Sequence, residues 1–374
     1  MSSRQRPTKV VGIISFMNAA GAQEALLRLA KQMRARGHDM EVWFLYEEDT
    51  IHRNEPKIKV FFHKTSLSPI EYLKCFWQLV GALRAAKPDA VVGFLPLGNV
   101  FGMFAGALAG VPHRVASQRA PGNTFGSVMR KLDRILGSCG VYGPIVCVSN
   151  AVKDSFARYP SRYRKRLQVV HNGIEWVPST LSREEARKAL GLPQDRFIAG
   201  AIGRMKTQKN YPFLLQVVAA TPGVTVAIAG DGALRPELDA LAASLGITDR
   251  VIFLGALDRE QIRHLLKASD IFIQASLYEG QSNAVLEAMH QGLPILVSDI
   301  PEQRETVVDD DGKEAALLAP LGDVKAWAAQ FGKLRDDEAL RRRLAAEAQE
   351  MVARRFSLKR MIDGFETVLT RAEV

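Results

Sequence analysis

Two carboxylates stand eight residues apart in the stretch Ser276-Leu277-Tyr278-Glu279-Gly280-Gln281-Ser282-Asn283-Ala284-Val285-Leu286-Glu287, with a small polar turn between them. The apolar run before it, 271–274, reads as a strand, and the segment after it, stopping near Gly292-Leu293-Pro294, reads as a helix. Such a turn sets the backbone N–H groups of Gly280, Gln281, Ser282 and Asn283 at a helix N-terminus, where unpaired donors and the helix dipole suit a phosphate. Eight residues of helical rise amount to ~12 Å. That is enough for one carboxylate to meet a sugar and the other a ribose diol. The plainer alternative is a helix capped by Ser282 with Glu287 on its solvent face.

Two further turns could share this chemistry. Gly203-Arg204-Met205-Lys206-Thr207-Gln208-Lys209-Asn210 follows another apolar run and carries Arg204 and Lys209, one suited to fork onto phosphate oxygens and the other to act as a point charge. Asn18-Ala19-Ala20-Gly21-Ala22-Gln23 is a small-residue turn that would let a diphosphate or an acceptor approach the backbone. A tight strand-to-helix connection explains it equally well. With Gly21 as its one glycine, it does not match the dinucleotide fingerprint G-x-G-x-x-G.

The elements that must position these turns alternate along the chain, strand-length apolar runs with 3.6-period segments, the pattern of parallel α/β sheets. Strands are expected over 10–15, 41–46, 57–62, 90–95, 114–117 and 145–148, with helices over 22–36 and 69–86. A turn at His171-Asn172-Gly173-Ile174 and a linker over 175–182 break the series. Ser182 with Glu185 then forms a capping box, and strands follow over 197–202, 224–229, 251–254, 271–274 and 295–297. The last ~40 residues read as helical. The expectation is two doubly wound domains, 1–173 and 174–355, facing across a cleft, with ligands at the C-terminal strand edges.

A chain of 374 residues fits two domains rather than one core. Cys75, Cys139 and Cys147 match no metal-ligand spacing and read as small buried hydrophobes in a reducing compartment. No apolar signal core follows the polar, basic N-terminus. Residues 90–112 carry no charge and are long enough to span a bilayer. Pro96, Gly98 and Asn99, however, cut them into a short strand and a helix over 100–109, which excludes a transmembrane span. The net charge of +10 is uneven: residues 1–173 hold 25 Lys+Arg against 11 Asp+Glu, and the remainder 25 against 29. The first half should therefore face something anionic, whether membrane, lipid phosphate or nucleic acid, unless the charge serves solubility alone.

Taken together, these residues resemble the retaining glycosyltransferases of family 4, which have the two-Rossmann-domain GT-B architecture. The resemblance rests on Glu279 and Glu287 with their Gly-Gln-Ser turn, on Gly203-Arg204 with Lys209-Asn210, on Val148-Ser149-Asn150 leading to His171-Asn172-Gly173-Ile174, and on Ala229-Gly230-Asp231-Gly232 with Val251-Ile252-Phe253-Leu254-Gly255. It implies that Arg204 and Lys209 neutralise the donor diphosphate, Glu279 lies by the transferred sugar, and Glu287 holds the ribose hydroxyls. Catalytic roles would fall to Glu279, Arg204 and Lys209. Gly280, Gln281, Ser282 and Asn283 would contact phosphate and sugar, with Gly21 at the donor and Leu257 against the base. No metal and no separate cofactor are expected, since two cations and a helix dipole would suffice. A final helix, residues 356–374, would cross back onto the first domain.

One position departs from the family. Many members place a histidine just after the strand corresponding to 114–117, where this chain has Ser117-Gln118-Arg119. His113 precedes that strand and reads as a loop residue. Arg119, with Asn18, is the acceptor-side candidate, or else the position is silent. The expected activity is transfer of a sugar from a nucleoside diphosphate-sugar to a saccharide or lipid-linked acceptor in cell-surface polysaccharide or glycolipid synthesis. The expected location is cytoplasmic, peripheral on the inner face of the membrane. The run Arg158, Arg162, Arg164, Lys165, Arg166, interleaved with Tyr159 and Tyr163, would rest on acidic headgroups. Alternatives are a non-catalytic nucleotide-sugar-binding protein, a GT-B nucleotide-sugar epimerase, or a single-stranded nucleic-acid binder, which the basic tyrosine-bearing stretch alone would permit. Nucleic acid is not the expected partner.

Overall fold

The computed structural model describes residues 8–18 and 20–370. The basic extreme N-terminus, Ala19 of the small-residue turn and the end of the returning helix lie outside them. The chain divides into two compact units, one comprising residues up to Gly173 with those from Leu358 onward, the other Ile174–Ser357. Each holds one parallel sheet.

In the first unit the strands β1 (Lys9–Met17), β2 (Asp39–Glu47), β3 (Ile58–Phe62), β4 (Ala90–Phe94), β5 (His113–Gln118), β6 (Ile145–Cys147) and β7 (Leu167–Val169) lie in the order β3-β2-β1-β4-β5-β6-β7. Helices α1 (Gly21–Ala35), α2 (Pro69–Ala86), α3 (Leu95–Leu108), α4 (Ser127–Ser138), α5 (Asn150–Asp154) and α6 (Ser161–Arg164) connect them. Helices cover both faces of the sheet, so the centre of β1, residues 10–14, is apolar and buried. Val10 and Ile14 enter one core, while Val11 and Ile13 enter the other. Ser68 and Glu71 close a capping box at the start of α2, and Lys87 ends the helix in the left-handed conformation at φ 46°.

In the second unit β8 (Phe197–Ile202), β9 (Val224–Ala229), β10 (Val251–Gly255), β11 (Ile271–Gln274), β12 (Ile295–Ser298) and β13 (Leu317–Ala319) take the order β10-β9-β8-β11-β12-β13. Helices α7 (Arg183–Ala189), α8 (Tyr211–Ala219), α9 (Arg235–Ser244), α10 (Arg259–Ala268), α11 (Asn283–Gln291), α12 (Pro301–Val307), α13 (Val324–Asp336) and α14 (Glu338–Arg355) complete it. The expected capping box of Ser182 and Glu185 opens α7. The last helix, α15 (Leu358–Thr370), belongs to the first unit and sends Met361, Ile362 and Phe365 into the core beneath α1. Phe356 and Ser357, expected on that helix, stay with the second unit, Phe356 in its core and Ser357 bridged to Ile174.

Several sequence expectations are corrected. Pro96, Gly98 and Asn99 do not form a break: α3 begins at Leu95, directly after β4. Proline is tolerated in a first helical turn. A Cβ at Gly98 would come within 2.8 Å of Ile13 O, so that glycine lets α3 lie against β1. Asn99 bonds Ser117 and Gln118 at the end of β5. His113 is no loop residue but the first of β5, its ring bonded to Val368 O of α15. Cys75 and Cys147 are buried, whereas Cys139 is exposed past the end of α4. Tyr163 is fully buried, and the half-buried Tyr159 packs edge-on against it and Phe156, so the basic run over 158–166 offers two cation-flanked rings of which one is committed to the core.

Inside the first unit a polar network hangs on Asp133 of α4, whose carboxylate accepts 2.8 Å hydrogen bonds from Gln118 Nε2 and Tyr163 OH. Burial raises this carboxyl to about 6, against the lowering effect of those hydrogen bonds. The folded state thus holds the proton more tightly than an unfolded aspartate with a pKa of ~3.9. The contribution of Asp133 to stability therefore grows as pH falls from neutrality through about 6. Melting temperatures of wild type and Asp133→Asn should diverge in favour of wild type between pH 7.5 and pH 5. A gap independent of pH would contradict this.

Candidate active site

In the second sheet the strand order reverses between β8 and β11, with β9 and β10 on one side and β12 and β13 on the other. Loops leaving the C-terminal ends at such a switch point diverge and leave a crevice for a ligand. Both turns singled out in the sequence, 203–210 after β8 and 275–282 after β11, leave from this point.

The first loop is stitched to the loop after β9. Gly203 N donates to Ala229 O at 2.9 Å and Met205 N to Asp231 O at 2.9 Å. Gly230 lies so close that a Cβ on it would fall 2.1 Å from Gly203 O, and its φ of +135° is itself unfavourable for other residues. Gly203 in turn leaves room for the stem of Lys209, because a Cβ there would stand 2.6 Å from Lys209 Cε. The Tyr211 hydroxyl donates to Gly203 O at 2.9 Å. Burial pushes that phenol upward, and the Glu279 charge adds to the effect.

Lys209, led over Gly203, delivers Nζ to Glu279 Oε1 at 2.7 Å, with the two side chains only 17% and 8% exposed. Gln274, the last residue of β11, donates from Nε2 to the same oxygen at 3.1 Å. Gln208 Nε2 reaches Tyr278 O at 3.1 Å and Glu279 Oε2 at 3.4 Å, while Leu277 N donates to Gln208 O at 2.9 Å. Ser282 caps α11 by accepting from Val285 N, and its hydroxyl donates to Gln274 Oε1 at 2.9 Å, which orients the amide that holds Glu279. The ion pair is thus positioned by two loops and one strand end, all within this unit.

Of the expected residues, the structure joins Lys209 to Glu279 directly and Ser282 to them through Gln274. Gly280 and Gln281 are buried in the turn between them, and Asn283 begins α11. The estimate of helical rise from Glu279 to Glu287 does not hold, since helix starts only at Asn283 and Glu287, half-buried, is about one turn in. Arg204 is half-buried on the Lys209 loop. Leu257, on the loop after β10, packs its half-buried side chain on the cluster around Ile198 and Leu265. That loop is tied in as well, because Gly230 N donates to Gly255 O at 2.7 Å. Asn18, Gly21 and Arg119 belong to the first unit. Asn18 is buried at the end of β1 and donates to Glu48, and Gly21 opens α1. Arg119 follows β5, stacks over Phe94 at 5.1 Å and donates to Asn172 Oδ1. Burial, reinforced by the Arg28 cation, lowers its pKa, and Nη1 has no hydrogen-bond partner.

Sequence reasoning missed Gln274, Gln208, Tyr211 and Glu302. Gln274 had a readable signal, a polar amide ending the otherwise apolar strand Ile271–Gln274. Glu302 sits in the first turn of α12. Burial raises its carboxyl, and the Glu279 charge pushes in the same direction. Because Gly230 cannot take a side chain without parting the loops, Gly230→Ala should cost ~2–4 kcal/mol. Gly37→Ala, at φ +91° with open space around it, should cost only ~1–2 kcal/mol. Equal losses in urea unfolding would contradict the packing argument.

Comparison with known proteins agrees with this geometry. Residues 182–351 match the family described as Glycosyl transferases group 1, and residues 19–175 match Glycosyltransferase Family 4. An Escherichia coli UDP-Gal:alpha-D-GlcNAc-diphosphoundecaprenol alpha-1,3-galactosyltransferase is 26% identical over 306 residues, 76% of this chain and 77% of that protein. A Bacillus subtilis protein named as the glycosyltransferase EpsF is 27% identical over 315 residues, 80% of each chain. The crystal structure of Anabaena HepE in complex with UDP and glucose superposes with a TM-score of 0.84 at 20% identity, covering 96% of this chain and 98% of that one. Two parallel sheets of this topology, matched along nearly the whole chain, make the fold GT-B, and the chain belongs to the family 4 glycosyltransferases.

Proposed function

We propose that the protein transfers a sugar, with retention of anomeric configuration and without a metal, from a nucleoside diphosphate-sugar to a saccharide or lipid-linked acceptor in the synthesis of a surface polysaccharide or glycolipid. The observation that carries this reading is the Lys209–Glu279 pair at the strand switch point, 2.7 Å long and largely out of water. When the bond from the sugar's anomeric carbon to the diphosphate breaks, its electron pair stays on a phosphate oxygen. Lys209 and Arg204 are the cations placed to offset that growing charge, which is the part a metal would otherwise play. Glu279, fixed by Gln274 and Gln208, stands by the transferred sugar. Glu287 holds the ribose hydroxyls, Leu257 lies against the base, and the turn from Gly280 to Asn283 contacts phosphate and sugar.

On the acceptor side, Arg119 is a half-buried cation whose shielded Nη1 has no hydrogen-bond partner, a setting that a phosphate on the acceptor would neutralise. Asn18 is the second acceptor candidate. The E. coli relative's name specifies a diphosphoundecaprenol-linked sugar, which supports an anionic, membrane-borne acceptor and a cytoplasmic protein peripheral to the membrane. UDP is named with both the E. coli relative and HepE, so uridine diphosphate-sugars are the first donors to try.

With UDP-galactose and UDP-glucose as donors, Glu279→Ala and Lys209→Ala should each lower turnover by ~10²-fold or more, the scale of one preorganised electrostatic contact. Melting curves recorded alongside would separate this from unfolding, since each change strands a buried charge. Wild-type turnover in both variants would overturn the assignment. Glu287→Ala should chiefly raise KM for the donor. Chelation by EDTA should leave the rate unchanged, whereas loss of activity restored by Mg²⁺ would refute metal independence.

A further inference from the structure

Among the described residues, eight of the twelve exposed large hydrophobic side chains lie on three consecutive helices of the first unit, α2, α3 and α4. Ile70, Leu73 and Trp77 form an i, i+3, i+7 stripe along α2 and are 66%, 58% and 57% exposed. On α3, Phe104 and Leu108 continue it. The ring of Phe76 on α2 packs on Phe101 at 5.5 Å and Phe104 at 5.3 Å, so the two stripes are continuous. Helix α3 also packs against α4, whose own outward stripe is Val128, Leu132 and Ile135.

The outward turn of α4 is built in. At about 100° per residue, this stripe lies roughly 150° round the helix from the two fully inward residues, Asp133 and Gly137. Gly137 lets the Tyr163 ring approach to 2.4 Å from where a Cβ would be, and Asp133 is bonded to Gln118 and Tyr163. The polar network therefore locks the helix with its apolar side facing away from the core. Single exposed apolar residues are ordinary, but a continuous face of them marks a contact surface.

The rim of this face is cationic. Lys74 and Arg84 are exposed on α2 and Lys131 flanks the α4 stripe, while Arg130 and Arg134 are exposed further round α4, Arg134 over the Tyr159 ring. The carboxylates on the three helices are Glu71, engaged by Lys64 and the Ser68 cap, and the buried Asp133. A second copy docking here would set one cationic rim on another. An anionic bilayer offers opposite charge to the rim and an apolar boundary to the stripes. We propose that the α2–α3–α4 face seats the protein on an anionic membrane surface, with Trp77 and the α4 stripe entering the headgroup boundary. This rests on the peripheral-membrane reading above but moves the contact from the run over 158–166, whose Tyr163 is committed to the core.

The test is co-sedimentation of the full chain with vesicles of phosphatidylglycerol and phosphatidylcholine against phosphatidylcholine alone. Wild type should partition onto the anionic vesicles, and the combined Trp77→Glu, Leu132→Glu, Ile135→Glu variant at least ~10-fold less. Its melting temperature and its hydrolysis of UDP-sugar in solution should match wild type. If wild type does not bind, the membrane reading itself fails. If wild type and the variant bind equally while Arg158→Ser, Arg162→Ser, Arg164→Ser abolishes binding, the membrane reading stands and this face is wrong. If wild type is a dimer that the variant dissociates, the face is a contact between copies and the proposal is overturned. Should the triple variant fail to fold, tryptophan emission decides: a blue shift on anionic vesicles is expected in wild type and lost in Trp77→Phe, and a shift that persists in Trp77→Phe contradicts the proposal.

Discussion

A lysine and a glutamate held 2.7 Å apart and nearly out of water impose a demand on everything around them. Desolvating two charges is costly unless the geometry is good and the remaining hydrogen-bond capacity is filled. Gln274 and Gln208 supply those bonds, Ser282 orients Gln274, and Gly203 clears the path of the lysine stem. The parallel sheet supplies the rest, because only at the reversal of strand order do the loops after β8 and β11 leave from adjacent strand ends. The pair is therefore a product of topology first and of side-chain chemistry second. Under the proposed function this is a preorganised arrangement, with the cation held in place by Glu279 before a donor binds.

Much of this was legible in the sequence, for physical reasons that can be stated. Strands buried on both faces are unbroken apolar runs, so β8, β9 and β11 could be bounded correctly from the residues alone, and the capping boxes at Ser68 and Ser182 fix helix starts locally. The edge strands β7 and β13, three residues each, went unread: β7 is interrupted by Gln168, and the short apolar run around β13 does not by itself distinguish strand from helix. Pro96, Gly98 and Asn99 misled because composition marks them as breakers, whereas packing uses the proline in a first turn, the glycine for close approach to β1 and the asparagine as a bridge to β5. Within the candidate site, the paired Lys209 and Glu279 stood out by their turns, but their supports did not. Gln208 and Tyr211 gain meaning only when the loops of two separate strands meet, and that is information about tertiary structure.

The first unit shows the same division. Its charge excess suggested an anionic partner, and the charges alone drew attention to 158–166, where Tyr163 is buried and Tyr159 packs on Phe156. What locates the surface is the rotation of α4, and that is set by one buried aspartate rather than by the pattern of the helix. An amphipathic sequence says that a face is apolar. Which way it points is decided by the partners of Asp133.

The donor-site reading requires Lys209 to be a diphosphate cation. The most direct measurement is the thermal stabilisation of the protein by nucleoside diphosphates, beginning with UDP, in wild type and in Lys209→Met. A ligand that binds the folded state raises stability by mass action. At millimolar UDP the wild type should melt several degrees higher than without it and Lys209→Met should show little or no shift, with each protein referred to its own ligand-free midpoint. An equal shift in both proteins would contradict the role assigned to Lys209 and, with it, the reading of the pair as the centre of the donor site.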